Sequence, residues 1–358
     1  MVTIRAMVDA LGMMFPRLAA RLPKISIANL PTPLREYSFA TVSPSVTVLV
    51  KHDDLSNEQY GGNKIRKLEY LLQRARERDA TRVATFGTVA SNHALATSIH
   101  ARQLGLDCTC FLSHQARTDK AALALNLHLQ QGTEIVRFGG DRTSRVQTLR
   151  RHLQHRHAWV IPMGGSNWLG VIGFVNAGLE LALQLEDAGH AAPDHLYVAN
   201  GTMGTAAGLA IGLALAGLAT EIQAVRVTHA QVANPAAMQR LIAKTVTMMR
   251  RLDMSIPADV ANRVKLRFRD AFFAAGYART DATTERAIAV ARAQLGLTLD
   301  ATYTGKAMAA LLSDLENPAG AGSTLLFWNT YHARALPVSS QLPADTSALP
   351  QEFLRYYV

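Results

Sequence analysis

The chain has 358 residues, of which 49% are hydrophobic and 18% are charged. This composition is ordinary for a globular protein and excludes a largely disordered chain, and the length exceeds that of a single hydrophobic core. The formal net charge of +10 raises the question of a nucleic-acid partner. However, the basic residues are scattered, and no zinc-finger, RNP or helix-turn-helix pattern occurs, so we expect no nucleic-acid binding.

The N-terminal segment predicts an amphipathic helix followed by a linker, because charged residues interrupt any apolar run of secretory length. The apolar window 201–219 is rich in Gly, Ala and Thr and is interpreted as a buried helix, so no membrane association is expected. The two cysteines, Cys108 and Cys110, share one face of a predicted strand and are expected in the core. The lack of a disulfide framework favours the cytoplasm.

Short apolar runs typical of strands recur along the chain. Helical patterns such as Lys67–Arg78 and Ala90–Leu104 separate several of them. This alternation predicts an α/β fold with parallel sheets covered by helices on both faces. The predicted strands are Val46–Lys51, Arg82–Phe86, Cys108–Leu112, Glu134–Phe138, Trp159–Pro162, His195–Ala199, Gln223–Val227 and Thr324–Trp328.

The four strands predicted between residues 82 and 162 form a compact α/β unit by themselves. We therefore expect a small α/β domain of residues 56–162 and a large domain of residues 1–55 plus 163–358. Ligands of such folds bind at the carboxyl ends of the strands, and between the lobes where there are two.

The segment Gly61-Gly62-Asn63-Lys64 is the first candidate for chemistry. Two glycines allow backbone conformations barred to other residues and let a planar ligand approach closely. A lysine held in such a turn can be desolvated, which lowers its pKa and makes the amine nucleophilic toward an aldehyde. On spacing alone, a solvated lysine beside a Gly-Gly turn is the commoner explanation.

The segment Ser91-Asn92-His93 follows a predicted strand and begins a helix. Hydroxyl and amide groups at a helix start are natural N-caps, and this is the ordinary structural explanation. The functional alternative is that Ser91 relays a proton while Asn92 donates to an anionic ring oxygen.

Residues 200–208 form a Gly/Thr loop that follows an apolar strand and enters an Ala-rich helix. The glycine spacing is not the dinucleotide fingerprint, and no Gly-Lys-Ser/Thr ending makes it a P-loop. Free backbone N–H groups and the positive end of the helix suit a phosphate, so we expect a phosphate site here.

Tyr277 and Tyr303 are further candidates, because a tyrosine can transfer a proton or bind a carboxylate. Each alone is more often a packed, hydrogen-bonded core residue. His152, His155 and His157 lie in an arginine-rich helical stretch that would repel a cation. We expect a solvated helix face there and no metal site.

Together these segments resemble the family of pyridoxal-phosphate (PLP) enzymes that contains 1-aminocyclopropane-1-carboxylate (ACC) deaminase and D-cysteine desulfhydrase. Their common order along the chain is more specific than any single motif. The segments that carry the resemblance are Leu30–Leu34, Val50–Leu55, Gly61–Glu69, Ser91–His93, Ile161–Asn167, the 201–208 loop and Tyr303–Ala307.

The resemblance implies a fold like that of the tryptophan synthase β subunit, fold type II of PLP enzymes. In this fold two open twisted parallel α/β lobes hold the cofactor in the cleft between them. Lys64 would carry PLP as a Schiff base, and Asn92 would contact the ring hydroxyl. The implied cofactor-binding residues are Lys64, Asn92, Gly201, Thr202, Met203, Gly204, Thr205, Thr304 and Thr330.

The resemblance also implies which side chains face the substrate. Ser91 would face the substrate carboxylate or take part in proton transfer, and the two tyrosines would stand on the substrate side. The implied catalytic residues are Lys64, Ser91, Tyr277 and Tyr303. The implied substrate-binding residues are Ser91, Asn92, His93, Tyr277, Tyr303 and Tyr331.

Thr304 favours the desulfhydrase side of the family. ACC deaminases resemble this motif but carry Glu here, beside the pyridine nitrogen, where a carboxylate keeps the ring protonated and makes it a stronger electron sink. Threonine leaves the nitrogen largely neutral. A neutral ring suits removal of an α-proton followed by loss of a β-substituent.

The chain also departs from the family pattern. Relatives typically read His-Thr-Gly-Gly after the last strand, whereas this chain reads Asn329-Thr330-Tyr331-His332. Ala90 replaces a glutamine, and Thr202-Met203 replaces Ser-Gly or Gly-Gly. The cofactor positions are mostly kept while substrate-side positions differ, so we expect an altered substrate.

The predicted activity is that of a cytoplasmic, homodimeric PLP-dependent lyase that removes an α-proton and a β-substituent from a small amino acid. ACC deaminase-type ring opening and β-replacement stay open as alternatives. So does a non-catalytic PLP-binding homologue, in which Tyr331 blocks the substrate. A binder of phosphorylated metabolites that uses only the 201–208 loop is a further alternative.

Overall fold

The computed structural model describes residues 9–39, 48–154, 157–274, 276–316, 324–332 and 346–357. The strands are β1 (Leu34–Tyr37), β2 (Val48–His52), β3 (Arg82–Thr88), β4 (Asp107–Ser113), β5 (Glu134–Arg137), β6 (Ala158–Val160), β7 (His195–Asn200), β8 (Glu221–Arg226), β9 (Leu266–Arg269) and β10 (Leu325–Asn329). The helices are α1 (Ala10–Met14), α2 (Pro16–Ala20), α3 (Lys64–Arg76), α4 (Asn92–Gln103), α5 (Asp119–Gln130), α6 (Arg142–Leu153), α7 (Trp168–Ala188), α8 (Gly204–Leu215), α9 (Pro235–Leu252), α10 (Val260–Arg263), α11 (Ala282–Leu295) and α12 (Thr304–Leu315).

The larger sheet has the strand order β1-β2-β10-β7-β8-β9, and every pair is parallel except β1 with β2. Helices cover both faces. Leu326 and Trp328 of β10 pack in a core with α7 and α8, whereas Leu325 and Phe327 pack with α11 and α12. Successive side chains of a strand point to opposite faces, so a central strand buried on both sides is apolar at every position.

The smaller sheet has the order β5-β4-β3-β6 and is entirely parallel. It contains the four strands predicted between residues 82 and 162. Cys108 and Cys110 are buried free thiols on β4, as predicted. Helix α6 has no buried residue and carries His152, which agrees with a solvated face. His155 lies outside the described residues, and His157 is exposed but follows α6, so its placement on the helix was wrong.

Several predictions of element boundaries were wrong. The N-terminal segment forms two short helices, because Pro16 cannot continue α1 and disfavours a helical conformation at Phe15. Strands β1 and β9 were not predicted; both are short edge strands in which two of four residues are charged. Helix α3 begins at Lys64 instead of Lys67. Of the predicted strand Val46–Lys51, residues 46 and 47 lie outside the described residues.

Helix α7 is long and apolar enough to cross a membrane by length and composition, but 78% of its most apolar window is buried within the protein. It packs against α3, α8 and α9, which is typical of a core helix. Helix α8 lies in the window 201–219 and is buried, as predicted.

A buried cluster of charges fixes α3 to the large sheet. The Arg66 guanidinium lies 2.9 Å from Asp53 Oδ1, next to β2, and 2.9 Å from Glu180 Oε1 on α7. The Trp328 indole N–H also donates to Asp53, at 2.8 Å. At Gly173 a Cβ would lie 2.1 Å from the Arg66 carbonyl oxygen, so only glycine allows this approach of α7 to α3. These contacts determine where the first residue of α3, Lys64, is held.

Candidate active site

A cavity of about 500 Å³ lies where the carboxyl ends of the two sheets face each other. The loops after β3 and β4 form one side of it, and those after β7, β8 and β10 form the other. The structure brings almost all of the predicted site residues to its wall. Those that line it are Lys64, Ser91, Asn92, His93, Gly201, Thr202, Met203, Gly204, Thr205, Tyr277, Tyr303, Thr330 and Tyr331.

Lys64 projects from the start of α3 after a glycine turn. Gly62 has φ +93°, and a Cβ there would lie 2.8 Å from the carbonyl oxygen of Thr330. The next residue, Asn63, donates its backbone N–H to that oxygen at 3.1 Å. The second glycine of the pair is therefore required both by its dihedral angle and by space. The turn attaches the lysine to the segment that follows β10.

The Lys64 amine is set up as a nucleophile. Burial lowers its pKa to about 8, against the opposing effect of the Asp300 carboxylate. Its Nζ donates to Asn63 Oδ1 at 2.8 Å and lies 5.9 Å from the ring centroid of Tyr303. About a tenth of the amine is therefore unprotonated at pH 7, and this form is the one that attacks an aldehyde.

The unusual residue His332 supports the same turn. Its Nδ1 accepts the backbone N–H of Gly61 at 2.8 Å, and its ring stacks on Tyr60 with centroids 4.8 Å apart. The Tyr60 hydroxyl in turn donates to Asn92 Oδ1 at 3.3 Å. Because that bond occupies the amide oxygen, the Asn92 nitrogen is left to donate elsewhere. The imidazole thus takes part in holding the lysine turn.

Tyr331, the other departure, lines the cavity without closing it. Its hydroxyl accepts from Lys120 Nζ at 2.9 Å, and the ammonium lies 4.2 Å from its ring centroid. Lys120 belongs to α5 beside the small sheet, whereas Tyr331 follows β10 of the large one. This contact joins the two sides of the cavity at the rim.

Ser91 and His93 are held by the end of β3. The Ser91 hydroxyl accepts the Ala94 N–H at 3.3 Å as the N-cap of α4, so the ordinary structural role is present. A Cβ at Gly87 would lie 2.5 Å from that hydroxyl, which shows how closely β3 approaches it. His93 bonds to Thr85 at 3.0 Å. Burial, with smaller effects of the nearby lysines, lowers the pKa of His93 well below its ordinary value, so its imidazole is neutral.

The 201–205 loop has the features of an anion site. Met203 adopts the left-handed region, with φ +66°, immediately before α8. Among the described residues, the N–H groups of Thr205 and Ala206 have no backbone acceptor, as expected in the first turn of a helix. Thr202 and Thr205 add hydroxyl groups, and the helix end favours negative charge.

Lys67 is a site residue that the sequence reasoning missed. Its Nζ donates to the Gly164 carbonyl at 3.1 Å, and a Cβ at Gly204 would lie 3.0 Å from it. Burial, and then the charge of Lys64, lower its pKa well below the ordinary value. No carboxylate pairs with Lys67 among the described residues. An anion bound at the loop would therefore supply the negative charge that its ammonium group needs. The spacing Lys64–Lys67, one helical turn, was the available signal.

Tyr277 and Tyr303 form a hydroxyl pair over the cavity. Their oxygens are 2.5 Å apart, and Thr88 Oγ1 lies 3.4 Å from the Tyr277 oxygen. Burial raises the pKa of Tyr277, and burial together with Tyr277 raises the pKa of Tyr303 well above its ordinary value. Both phenols are therefore protonated at neutral pH and act as proton donors, not as bases.

Of the predicted site residues, Thr304 alone is not brought to the cavity wall. It is fully buried, and its hydroxyl donates to Asp300 Oδ1 at 2.8 Å. Asp300, which the sequence reasoning did not select, lines the cavity instead. Its carboxylate also accepts the N–H groups of Thr302, Tyr303 and Thr304. An acidic residue shortly before a helix start was the signal for it.

The fold and this site define a two-lobed α/β enzyme with a nucleophilic lysine opposite a phosphate-type loop. Residues 25–330 match the model of the family described as pyridoxal-phosphate dependent enzyme. The chain belongs to this family and is a PLP enzyme, so the predicted fold class, family and cofactor are confirmed.

Similarity to individual proteins agrees with this family assignment. The chain is 31% identical to a D-cysteine desulfhydrase from Salmonella paratyphi A over 328 residues, covering 88% of this chain and 96% of the relative. It is 31% identical to a D-cysteine desulfhydrase from Klebsiella pneumoniae, with coverages of 82% and 89%. A solved structure described as an ACC deaminase homologue has a TM-score of 0.75 and 27% identity, covering 91% of this chain and 95% of that structure. A fungal L-serine ammonia-lyase from Rhizomucor miehei, with a TM-score of 0.58 and 18% identity, shares the fold.

The side chains present fit PLP. Both side-chain polar atoms of Asn200, a buried residue on the cavity wall, have no hydrogen-bond partner in the described part of the chain. The loop after it offers N–H and hydroxyl donors, and Lys67 offers a second buried amine. A cofactor that carries an aldehyde and a phosphate complements this combination of amine and anion site. We therefore expect the Gly201–Thr205 loop with Lys67 to hold the phosphate and Lys64 to hold the aldehyde carbon.

Proposed function

We propose that this protein is a PLP-dependent lyase that eliminates a β-substituent from a small amino acid, in the manner of D-cysteine desulfhydrase. The relatives with that name cover most of both chains. The observation that carries the proposal is the position of Lys64, a buried amine of lowered pKa, on the same cavity wall as the proton-donating pair Tyr277–Tyr303. One cavity wall thus carries both a base, Lys64, and a proton donor, the tyrosine pair.

When bound, PLP supplies an electron sink that stabilises negative charge at the substrate α-carbon. Lys64 Nζ would accept the α-proton of the bound substrate. The Cβ–X bond then breaks, and X leaves with the electron pair. Tyr303 or Tyr277 donates a proton to X through its hydroxyl. Water hydrolyses the released enamine to a 2-keto acid and ammonia, which balances the reaction.

Other residues orient and shield the substrate in this proposal. Ser91, the N-cap of α4, and the neutral His93 in the first turn of that helix face the substrate carboxylate and its surroundings. Asn92 donates to the ring hydroxyl of the cofactor. Thr330 lies on the cofactor side of the cavity. Thr304 acts there indirectly, through its hydrogen bond to Asp300. Tyr331 forms the rim on the substrate side.

The proposal favours elimination over the alternatives. ACC deaminase-type ring opening and β-replacement would use the same residues. Identifying the products distinguishes these two reactions from elimination. Blocking by Tyr331 is disfavoured, because a cavity of about 500 Å³ is within the range of small-molecule sites. We also propose a homodimer in the cytoplasm, with residues 56–162 as a small domain and residues 1–55 plus 163–358 as a large one.

The experiment is to incubate the yellow holoenzyme with D- and L-amino acids that carry β-leaving groups and to identify the products by mass. Release of pyruvate and ammonia supports elimination. A substituted amino acid formed with an added thiol supports replacement, and 2-oxobutanoate from ACC supports ring opening. A cofactor spectrum that changes with none of the amino acids supports the non-catalytic homologue.

A further inference from the structure

The small sheet presents three successive loops to the cavity. Ser91 follows β3, Ser113 and His114 stand at the end of β4, and Arg145 lies on α6 just after β5. These strands are neighbours in the order β5-β4-β3. Since adjacent strands lie about 4.8 Å apart, the loop after β5 is roughly 10 Å from the Ser91 loop. The cavity therefore extends outward from the lysine along the sheet edge and ends at Arg145.

The charges of this cavity are strongly unbalanced. Among the described residues, Asp300 is the one acidic side chain on the wall, and it is engaged by three backbone N–H groups and the Thr304 hydroxyl. Lys64, Lys67 and Arg145 are basic. The two lysines are assigned to the aldehyde and the phosphate of the cofactor. Arg145 remains as a permanent cation without an assigned partner.

Arg145 is also free of ion pairs in the described part of the chain. The ion pairs beside it use other side chains: Arg82 with Asp107 and Glu134, Arg137 with Glu352, and His152 with Glu134. The acidic residue one turn before Arg145, Asp141, caps α6 by accepting the Ser144 N–H at 2.7 Å. The bonds from Ser144, and to a smaller extent the charge of Arg145, lower the pKa of Asp141, although the two side chains form no ion pair. The guanidinium lies 5.8 Å from the ring centroid of Phe138. Arg145 is exposed on α6 and lines the cavity, so its donors can exchange water for a ligand there.

We infer that the substrate is an amino acid whose side chain carries a second anionic group, and that Arg145 binds this group. The inference rests on the proposed function, since it names the substrate class of the same site. The α-carboxylate and the amine of the substrate bind near Ser91 and Lys64. The substrate side chain extends along the sheet edge toward α6. A planar guanidinium suits a carboxylate, sulfate or phosphonate, which accept two of its donors at once.

The test compares two substrates that differ in their leaving group but give the same measured product, pyruvate. Serine O-sulfate carries an anionic β-substituent, β-chloroalanine a neutral one, and elimination from either yields pyruvate and ammonia. Each is used as both enantiomers with holoenzyme, and pyruvate is measured for the wild type, Arg145→Gln and Arg142→Gln. Arg142 is the matched control, because it lies exposed on the same helix but does not line the cavity.

We expect Arg145→Gln to lower kcat/KM for serine O-sulfate about tenfold, mainly through KM, because one charge-assisted interaction is lost. The same variant should turn over β-chloroalanine within about twofold of the wild type, and Arg142→Gln should leave both substrates unchanged. An equal loss on both substrates, or no loss on either, overturns the inference.

A binding measurement separates this inference from the lyase proposal. Glutamate and alanine are titrated into each holoenzyme, and binding is followed by the absorbance of the bound cofactor. Weaker binding of glutamate but not of alanine to Arg145→Gln supports the inference even where no substrate is turned over. Turnover of β-chloroalanine with no effect of Arg145→Gln on serine O-sulfate or glutamate refutes it and leaves the lyase proposal standing.

Discussion

The hydroxyl oxygens of Tyr277 and Tyr303 lie 2.5 Å apart on the wall of the cavity that contains Lys64. The two residues are 26 positions apart in the chain. Burial keeps both phenols protonated, so one donates to the other while a hydroxyl proton remains for a ligand. This pair is the proton donor of the proposed elimination.

Tyr303→Phe should therefore lower kcat by about 100-fold while the cofactor stays bound, since general acid catalysis contributes roughly that much. Turnover of the best β-substituted amino acid and the absorbance spectrum are the two measurements. Tyr357→Phe is the matched control, because its hydroxyl bonds to Asn126 outside the cavity. Unchanged kcat in Tyr303→Phe would remove the tyrosine from the mechanism.

The lowered pKa of Lys64 predicts how the apoenzyme takes up PLP. Only the unprotonated amine attacks the aldehyde, so the second-order rate of uptake should rise with pH to a plateau above pH 8. Below pH 8 the rate should fall about tenfold per pH unit. Stopped-flow absorbance from pH 6 to 10 measures this. A midpoint near the ordinary lysine value of 10.5 would show that the amine is solvated.

Removing the side-chain amine should affect cofactor binding differently at Lys64 and at Lys67. Lys64→Ala is expected to give colourless or weakly coloured protein, because no covalent bond to the cofactor forms. Lys67→Gln should stay yellow and bind PLP about tenfold more weakly, because one charge-assisted contact to the phosphate is lost. Equilibrium dialysis gives the Kd. Equal Kd values for Lys67→Gln and the wild type would place the phosphate away from Lys67.

The glycine turn before Lys64 can be tested against a glycine in open space. Gly62→Ala forces both a left-handed conformation and a 2.8 Å contact with the Thr330 carbonyl oxygen, and should cost about 3 kcal/mol or more. Gly105 has φ +73°, and a Cβ there would meet no atom within 4 Å, so Gly105→Ala should cost only about 1 kcal/mol. Urea unfolding measures both. Equal losses would mean that the contact with Thr330 relaxes freely.

The central strands of the fold and most of the candidate site residues could be predicted from the sequence. Strands β7 and β10 contain uninterrupted apolar runs, residues 196–199 and 325–328, and could be recognised locally, because burial on both faces leaves that pattern in the chain. The edge strands β1 and β9 could not, since they are short and half polar. The glycine turn alone did not identify Lys64. It was selected because its order along the chain with Ser91 and the 201–208 loop matched a family.

Other features depended on residues that meet only in three dimensions. Asp300 replaces Thr304 on the cavity wall because four donors at the start of α12 orient its carboxylate, which no local pattern records. His332 departs from the family pattern, and in the structure it accepts the N–H of Gly61, 271 positions away. Hydrogen bonds of this range depend on sheet order, not on neighbours in the chain.

By itself the sequence determined the α/β class, the family and the cofactor, because apolar strand runs and short motifs in a fixed order are recorded in the chain. It also supplied Lys64 and the 201–208 loop as predictions. Only the tertiary structure decided that Lys67 faces the loop, that two tyrosines share a hydrogen bond, and that Arg145 ends the cavity. The physical reason is the order β5-β4-β3 and its counterpart in the large sheet, which long-range packing sets and which brings distant loops to one edge.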